Sequence, residues 1–145
     1  MKKRLSIFLV ACILAFGALL PCTAAEVEPY RASEYLLSYA AVMSAPRGQT
    51  GTLEITITVA PAGYMTSLGA TSIKIYTADG GFVKSVTGTS SNGLLELHTD
   101  LTFVNTYVFD EAVSGESYYA EVTVYAGNST GSDSRTVTTR VVEAN

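Results

Sequence analysis

Thr52-Leu53-Glu54-Ile55-Thr56-Ile57-Thr58-Val59 decides how this chain is read. Leu53, Ile55, Ile57 and Val59 alternate with Thr52, Glu54, Thr56 and Thr58. A period of two puts one set of side chains in a core and the other in water, which is a half-buried β-strand. The same texture continues outward. Ser72–Tyr76 is predicted as a strand with Ile73 and Ile75 inward and Lys74 and Tyr76 outward. Asp79-Gly80-Gly81 supplies a tight turn into Phe82–Thr87, so these two runs form a hairpin. Gly88–Gly93 reads as a loop. Leu94–Ala112 reads as one bent strand or two, broken near Asn105. Tyr118–Ala126 is a clear strand with Tyr118, Ala120, Val122, Val124 and Ala126 on one side. Gly127–Asp133 is a turn, and Arg135–Val142 closes the chain as a last strand. An early strand spans Tyr35–Met43. Seven or eight short strands with regular turn signals define an all-β chain, expected as a single antiparallel sandwich, with a small closed barrel as the alternative.

The first residues carry an address. Lys2, Lys3 and Arg4 precede an apolar run from Leu5 to Leu20, and Thr23 and Ala25 have the spacing a signal peptidase accepts. The run is shorter than the roughly 20 apolar residues that span a bilayer, and Pro21 ends it with no basic cluster behind. The expectation is a signal peptide over 1–25, cut after Ala25 or after Ala24, and a secreted domain over 26–145 with no stable membrane span. A lipid on Cys22 in Leu19-Leu20-Pro21-Cys22 is the competing reading, which Pro21 disfavours because lipid-modified cysteines want a small residue before them. Cys12 and Cys22 both lie in the leader, so the remaining chain has no disulfide and no thiol chemistry. It also holds all thirteen acids against six of the nine bases, a net charge of −7. That acidity argues against nucleic acid and anionic membrane as partners.

Two resemblances follow from particular residues. Tyr118-x-Ala120-x-Val122-x-Val124-x-Ala126-x-Asn128-x-x-Gly131 resembles the penultimate strand and following turn of fibronectin type III and related immunoglobulin-like domains. There a tyrosine opens the strand and its hydroxyl bonds to backbone just upstream, which would make Tyr118 a structural, tyrosine-corner residue. The strand here is one dyad longer than usual, and the chain has no tryptophan. A second resemblance rests on Arg31-Ala32-Ser33-Glu34-Tyr35-Leu36, on Leu68-Gly69-Ala70 leading into Ile73-Lys74-Ile75-Tyr76, and on Tyr118-Tyr119-Ala120-Glu121-Val122-Thr123-Val124-Tyr125-Ala126-Gly127-Asn128. These pieces are similar to small, secreted, single-domain proteins of Gram-positive bacteria that share a domain of unknown function. The resemblance implies secretion and one β domain, and no activity.

Catalytic patterns are missing from the sequence. His98 is the single histidine, and with Glu96 and Asp100 it could form a metal-like trio at period two. A solvated polar face opposite Leu95, Leu97 and Leu101 accounts for the same spacing. No G-x-S-x-G elbow nominates a serine nucleophile. Asp110 and Glu111 are adjacent, so a strand would point them apart and they do not make a glycosidase pair. There is no calcium loop, P-loop, dinucleotide fingerprint or zinc spacing. Asn128-Ser129-Thr130 spells a glycosylation sequon that would matter in a eukaryotic source, whereas the short basic leader has a bacterial form. The expectation is a non-enzymatic protein with no catalytic residue, no metal and no cofactor.

Tyrosines carry the remaining signal. If Tyr118 and Val122 point inward, then Tyr119 and Tyr125 point outward, as Tyr76 does on its own strand. An immunoglobulin-like topology makes these strands neighbours, giving an outward face with Tyr76, Tyr119 and Tyr125. Stiff aromatic rings with a hydrogen-bonding tip suit recognition of protein or sugar, although cross-strand aromatic pairs also serve merely to stabilise a solvated sheet. The sequence therefore points to a monomeric binding domain, secreted or extracellular and in part cell-wall associated, with a surface protein or glycan as partner. The alternative is a structural subunit that assembles with its own copies into a surface polymer.

Overall fold

A computed structural model describes residues 33–145. The leader 1–25 with Cys22, and the segment 26–32, lie outside the described residues. Among the described residues, nine strands follow one another: β1 (Leu36–Ser44), β2 (Leu53–Pro61), β3 (Met65–Thr77), β4 (Phe82–Thr87), β5 (Leu95–Thr99), β6 (Phe103–Phe109), β7 (Ser117–Asn128), β8 (Gly131–Thr138) and β9 (Val142–Glu143). They form a three-stranded sheet in the order β1-β2-β6 and a six-stranded sheet built on β4-β3-β7-β8. β5 adds to the second sheet beside β3, and β9 adds beside β7. Every pairing is antiparallel. Two separate sheets, each with its own edges, replace the closed barrel that the sequence left open.

The strand count exceeds the expected seven or eight because both edges of the larger sheet are built in pieces. On one edge, β5 pairs with the first half of β3 and β4 with the second half. The loop between them crosses close to β3. The Ala70 N–H donates to the Leu94 carbonyl at 2.7 Å, and the Gly88 N–H donates to the Thr71 carbonyl at 2.8 Å. Gly69 sits at φ 141°, and a Cβ there would run into the Leu94 carbonyl oxygen, so glycine is what permits the crossing. On the other edge the ladder breaks at Thr139. This residue is buried, its N–H donates to the Ala120 carbonyl at 2.9 Å, and its Oγ1 accepts the Ala120 N–H at 2.9 Å. A side chain thus stands in for one rung of the ladder, and Arg135–Val142 becomes β8 and β9 rather than one strand.

Two further expectations are corrected. The break in Leu94–Ala112 falls at residues 100–102, and Asn105 lies inside β6. Pairing of Asn128 with Gly131 shortens the turn expected over Gly127–Asp133 to Ser129-Thr130.

The core lies between the sheets. Leu53, Ile55, Ile57 and Val59 of β2 are fully buried, as are Ala120, Val122, Val124 and Ala126 of β7. Phe103 and Phe109 of β6 join them, and Leu94 enters from the crossing loop. Each large apolar side chain so buried stabilises the fold by about 1.5–3 kcal/mol. Inward faces therefore have packing duties, and the outer sheet faces are where side chains are free for other work.

Candidate functional site

β3 and β7 are long because both are central in their sheet, paired on two sides. Their register sets Tyr76 opposite Tyr119, Lys74 opposite Glu121, Ser72 opposite Thr123 and Gly69 opposite Tyr125. A bulge at Thr71 keeps the outer residues in step on either side of it. Ile73 and Ile75 are fully buried, so the pleat turns Lys74 and Tyr76 to the outer face.

The Tyr76 and Tyr119 rings stack, with centroids 5.2 Å apart and planes within 15°. Phe82 joins them edge-on, 5.8 Å from the Tyr76 centroid at 72°. A register shift in the β3–β4 ladder sets Phe82 opposite Tyr76, and its side chain is 63% exposed. The Tyr76 hydroxyl donates to Glu121 Oε2 at 3.3 Å. Burial, and then the Glu121 charge, push the Tyr76 phenol above its ordinary pKa. Its proton therefore stays on at neutral pH and is engaged in the bond to Glu121.

The β3–β4 turn fixes this cluster. The Thr77 N–H donates to the Gly81 carbonyl at 2.8 Å, and the Thr77 hydroxyl donates to the Asp79 carboxylate. The Gly81 N–H also reaches Asp79 Oδ1 at 3.4 Å. The Thr77 bond first, and then backbone bonds, hold the Asp79 carboxyl below the usual carboxylate range. A shallow cleft of about 310 Å³ opens at this end of the sheet, lined by Thr77, Ala78, Asp79, Glu116 and Ser117.

Tyr125 stands apart from the pair. It lies six residues up β7 from Tyr119, a distance of about 20 Å along a strand. Gly69 and Ser134 flank it across the strands. Its hydroxyl covers Gly127, where a Cβ would strike it. The structure thus brings together Tyr76 and Tyr119 and adds Phe82, which the sequence reading placed in a strand but not on this face. The cue was its position directly after the Gly80-Gly81 turn; the register shift that aligns it with Tyr76 has no sequence mark.

Tyr118 points the other way and is 2% exposed. Its ring meets Phe109 edge-on at 5.9 Å and 68°. Its hydroxyl accepts the Val113 N–H at 2.9 Å and donates to Glu116 Oε2 at 3.0 Å. Burial is the largest cause raising its pKa.

The other chemical candidates disperse. His98 sits at φ 57°, which breaks the period-two alternation of β5. Leu97 pairs with Ser67 on the face away from buried Leu68, and Leu101 lies past the end of β5, so both are exposed and neither is a core residue opposite a polar face. The His98 ring lies 6.5 Å from that of Tyr64. Among the described residues, no group of three His, Cys, Asp or Glu side chains is placed to hold a metal ion. Glu111 is engaged by Lys84, with Nζ and Oε1 2.6 Å apart. Among the described residues, no helix is long and apolar enough to cross a membrane. No protein-family model matches the chain, and no curated protein matches it.

Proposed function

We propose that this chain is a secreted, non-catalytic binding domain that meets a surface protein or glycan, at a bacterial envelope or in the medium, through the Tyr76–Tyr119–Phe82 cluster. The observation that carries the reading is the stack itself. Three aromatic rings sit on an outer sheet face with no core to fill, beside a cleft edged by Asp79 and Glu116. Such rings give contact area at little cost in side-chain entropy. The sandwich is taken as immunoglobulin-like, of the fibronectin type III kind. Its support is the strand order β1-β2-β6 against β4-β3-β7-β8, and the bond from the Val113 N–H to the Tyr118 hydroxyl.

The test is retention. Cells expressing the full chain are fractionated, the intact mass of the product fixes whether the leader has been removed, and the product is incubated with isolated cell walls and insoluble polysaccharides. Saturable retention that falls at least tenfold in the Phe82→Ala, Tyr119→Ala double variant supports the reading, since truncating a central aromatic contact costs roughly 2 kcal/mol or more. Retention unchanged in that variant, with its fold intact, removes the aromatic cluster as the contact surface.

A further inference from the structure

The crossing loop between β4 and β5 holds one asparagine by both polar atoms of its side chain. Asn92 Oδ1 accepts the Thr89 N–H at 2.9 Å and the Leu94 N–H at 3.2 Å. Its Nδ2 donates to the Thr87 carbonyl at 2.8 Å, and its backbone N–H reaches the Thr89 hydroxyl at 3.2 Å. Asn92 thereby ties the end of β4 to the entry of β5. Leu94, two residues on, is buried, and its carbonyl accepts the Ala70 N–H. The crossing over β3 hangs on this side chain. The next residue is Gly93, at φ 73°, a left-handed value that favours glycine. With no Cβ at position 93, nothing shields the Asn92 amide carbon from the following backbone nitrogen. Asn105 and Asn128 are followed by Thr106 and Ser129, whose side chains give that shield. The loop geometry thus requires, after Asn92, the one residue that leaves it open to attack.

We propose that Asn92 is a site of spontaneous covalent modification, gated by opening of the crossing loop, and that its reaction releases the loop irreversibly. The Gly93 nitrogen gives up its proton to water and forms a bond to Asn92 Cγ. The Cγ–Nδ2 bond breaks, and Nδ2 takes up a proton and leaves as ammonia. Water then opens the five-membered imide at either carbonyl, giving aspartate or the isomer whose main chain runs through Cγ. Nothing is oxidised or reduced. In the folded chain the Gly93 N–H is turned to the Ser90 carbonyl at 3.4 Å, and Asn105 Nδ2 donates to the Gly93 carbonyl. The Asn92 amide must also leave Thr87, Thr89 and Leu94 before Cγ can be reached. The reaction therefore waits on a local opening of the loop. Aspartate lacks the Nδ2 donor and sets a negative oxygen against the Thr87 carbonyl, which is left without that partner. The isomer adds a carbon to the main chain between the Thr89 and Leu94 anchors. Either product loosens the cover over the first half of β3, independently of the aromatic cluster.

Ageing of the product of cells expressing the full chain tests this, at mildly alkaline pH, folded and in guanidinium chloride. Peptide mass spectrometry reads the exchange of nitrogen for oxygen at each asparagine. Unfolded, residue 92 is expected to convert faster than Asn105 and Asn128. Folded, it is expected to convert at least about tenfold more slowly than unfolded, since only opened molecules react. Equal rates at residue 92 in both conditions, or no preference for it in the unfolded chain, overturn the proposal. The release is read by amide hydrogen exchange in Asn92→Asp and in the aged wild-type fraction separated by charge. The Ala70 and Gly88 N–H groups, which bond to the Leu94 and Thr71 carbonyls, should exchange at least about tenfold faster, with Val122 in β7 unchanged. Unchanged protection at Ala70 and Gly88 in the aged fraction overturns the release, whether or not the variant folds.

Discussion

Tyr118 and Tyr119 stand side by side in β7, and the pleat sends their rings to opposite faces. Tyr118 is closed in by Phe109, and its hydroxyl both accepts from Val113 and donates to Glu116. Tyr119 stacks on Tyr76 in contact with solvent. The residue type is the same and the hydrogen-bonding tip is the same. What differs is how many neighbours would be left unsatisfied by its loss. A side chain whose removal opens a cavity and strands polar partners is held by the fold, and one whose removal opens neither is available for selection by a ligand.

The largest expected effect sets the two against each other. Tyr118→Ala should lower unfolding free energy by about 3–5 kcal/mol, the usual range for emptying a large aromatic site in a core. Tyr119→Ala should cost less than about 1 kcal/mol. Urea unfolding of both variants measures this, and equal losses would end the distinction. Next is Tyr118→Phe, which keeps the ring and removes the hydroxyl. It leaves the Val113 N–H without its acceptor and should cost about 1–2 kcal/mol, again read in urea; a neutral result would make the ring alone responsible. A double-mutant cycle of Tyr76→Ala and Tyr119→Ala should then give a coupling of about 0.5–1.5 kcal/mol for the stacked pair. No coupling would mean that the rings are placed by their strands and not by each other.

The smallest effect belongs to the turn that positions Phe82. The Asp79 carboxyl is held below its ordinary pKa by bonds from Thr77 and Gly81. Its stabilisation is therefore present at neutral pH, above the unfolded carboxyl value of about 3.9, and is lost as pH falls through the lower folded value. Asp79→Asn keeps an acceptor oxygen at every pH. Wild type should consequently lose slightly more stability than Asp79→Asn between pH 7 and pH 3, measured by thermal unfolding. A larger loss in the variant would reverse the sign and the assignment.

Periodicity made the inward faces legible. Alternation alone located β2, the second half of β3 and β7, and it assigned the correct sides to Ile73, Ile75 and the buried set of β7. It also put Tyr76 and Tyr119 on the outer face. Features set by long-range geometry were hidden. The first half of β3 carries Leu68, Gly69 and Ala70 in succession, all buried, because the crossing loop presses on its outer side there. No period-two signal survives that double burial. The break at Thr139 was equally silent, since it depends on a threonine side chain bonding to Ala120 across the ladder. Phe82 joined the cluster through a register shift, and Leu97 is exposed because its register sets it opposite Ser67, on the face away from the core.

Both sheets combine a local hairpin with a strand from far along the chain. β1–β2 and β3–β4 close on themselves, yet Thr56 meets Thr106 fifty positions on, and Thr71 reaches the Thr123 carbonyl fifty-two positions on. Because β2 and β3 are consecutive, as are β6 and β7, the two distant closures share one search. That search must bring the second half of the chain back over the first before either sheet is complete. Loop closure of this kind comes before its contacts reward it, which places folding on the millisecond-to-second scale of all-β domains rather than in microseconds. A chain that lingers so long before its sheets meet stays threadable through a narrow pore for the whole of that interval.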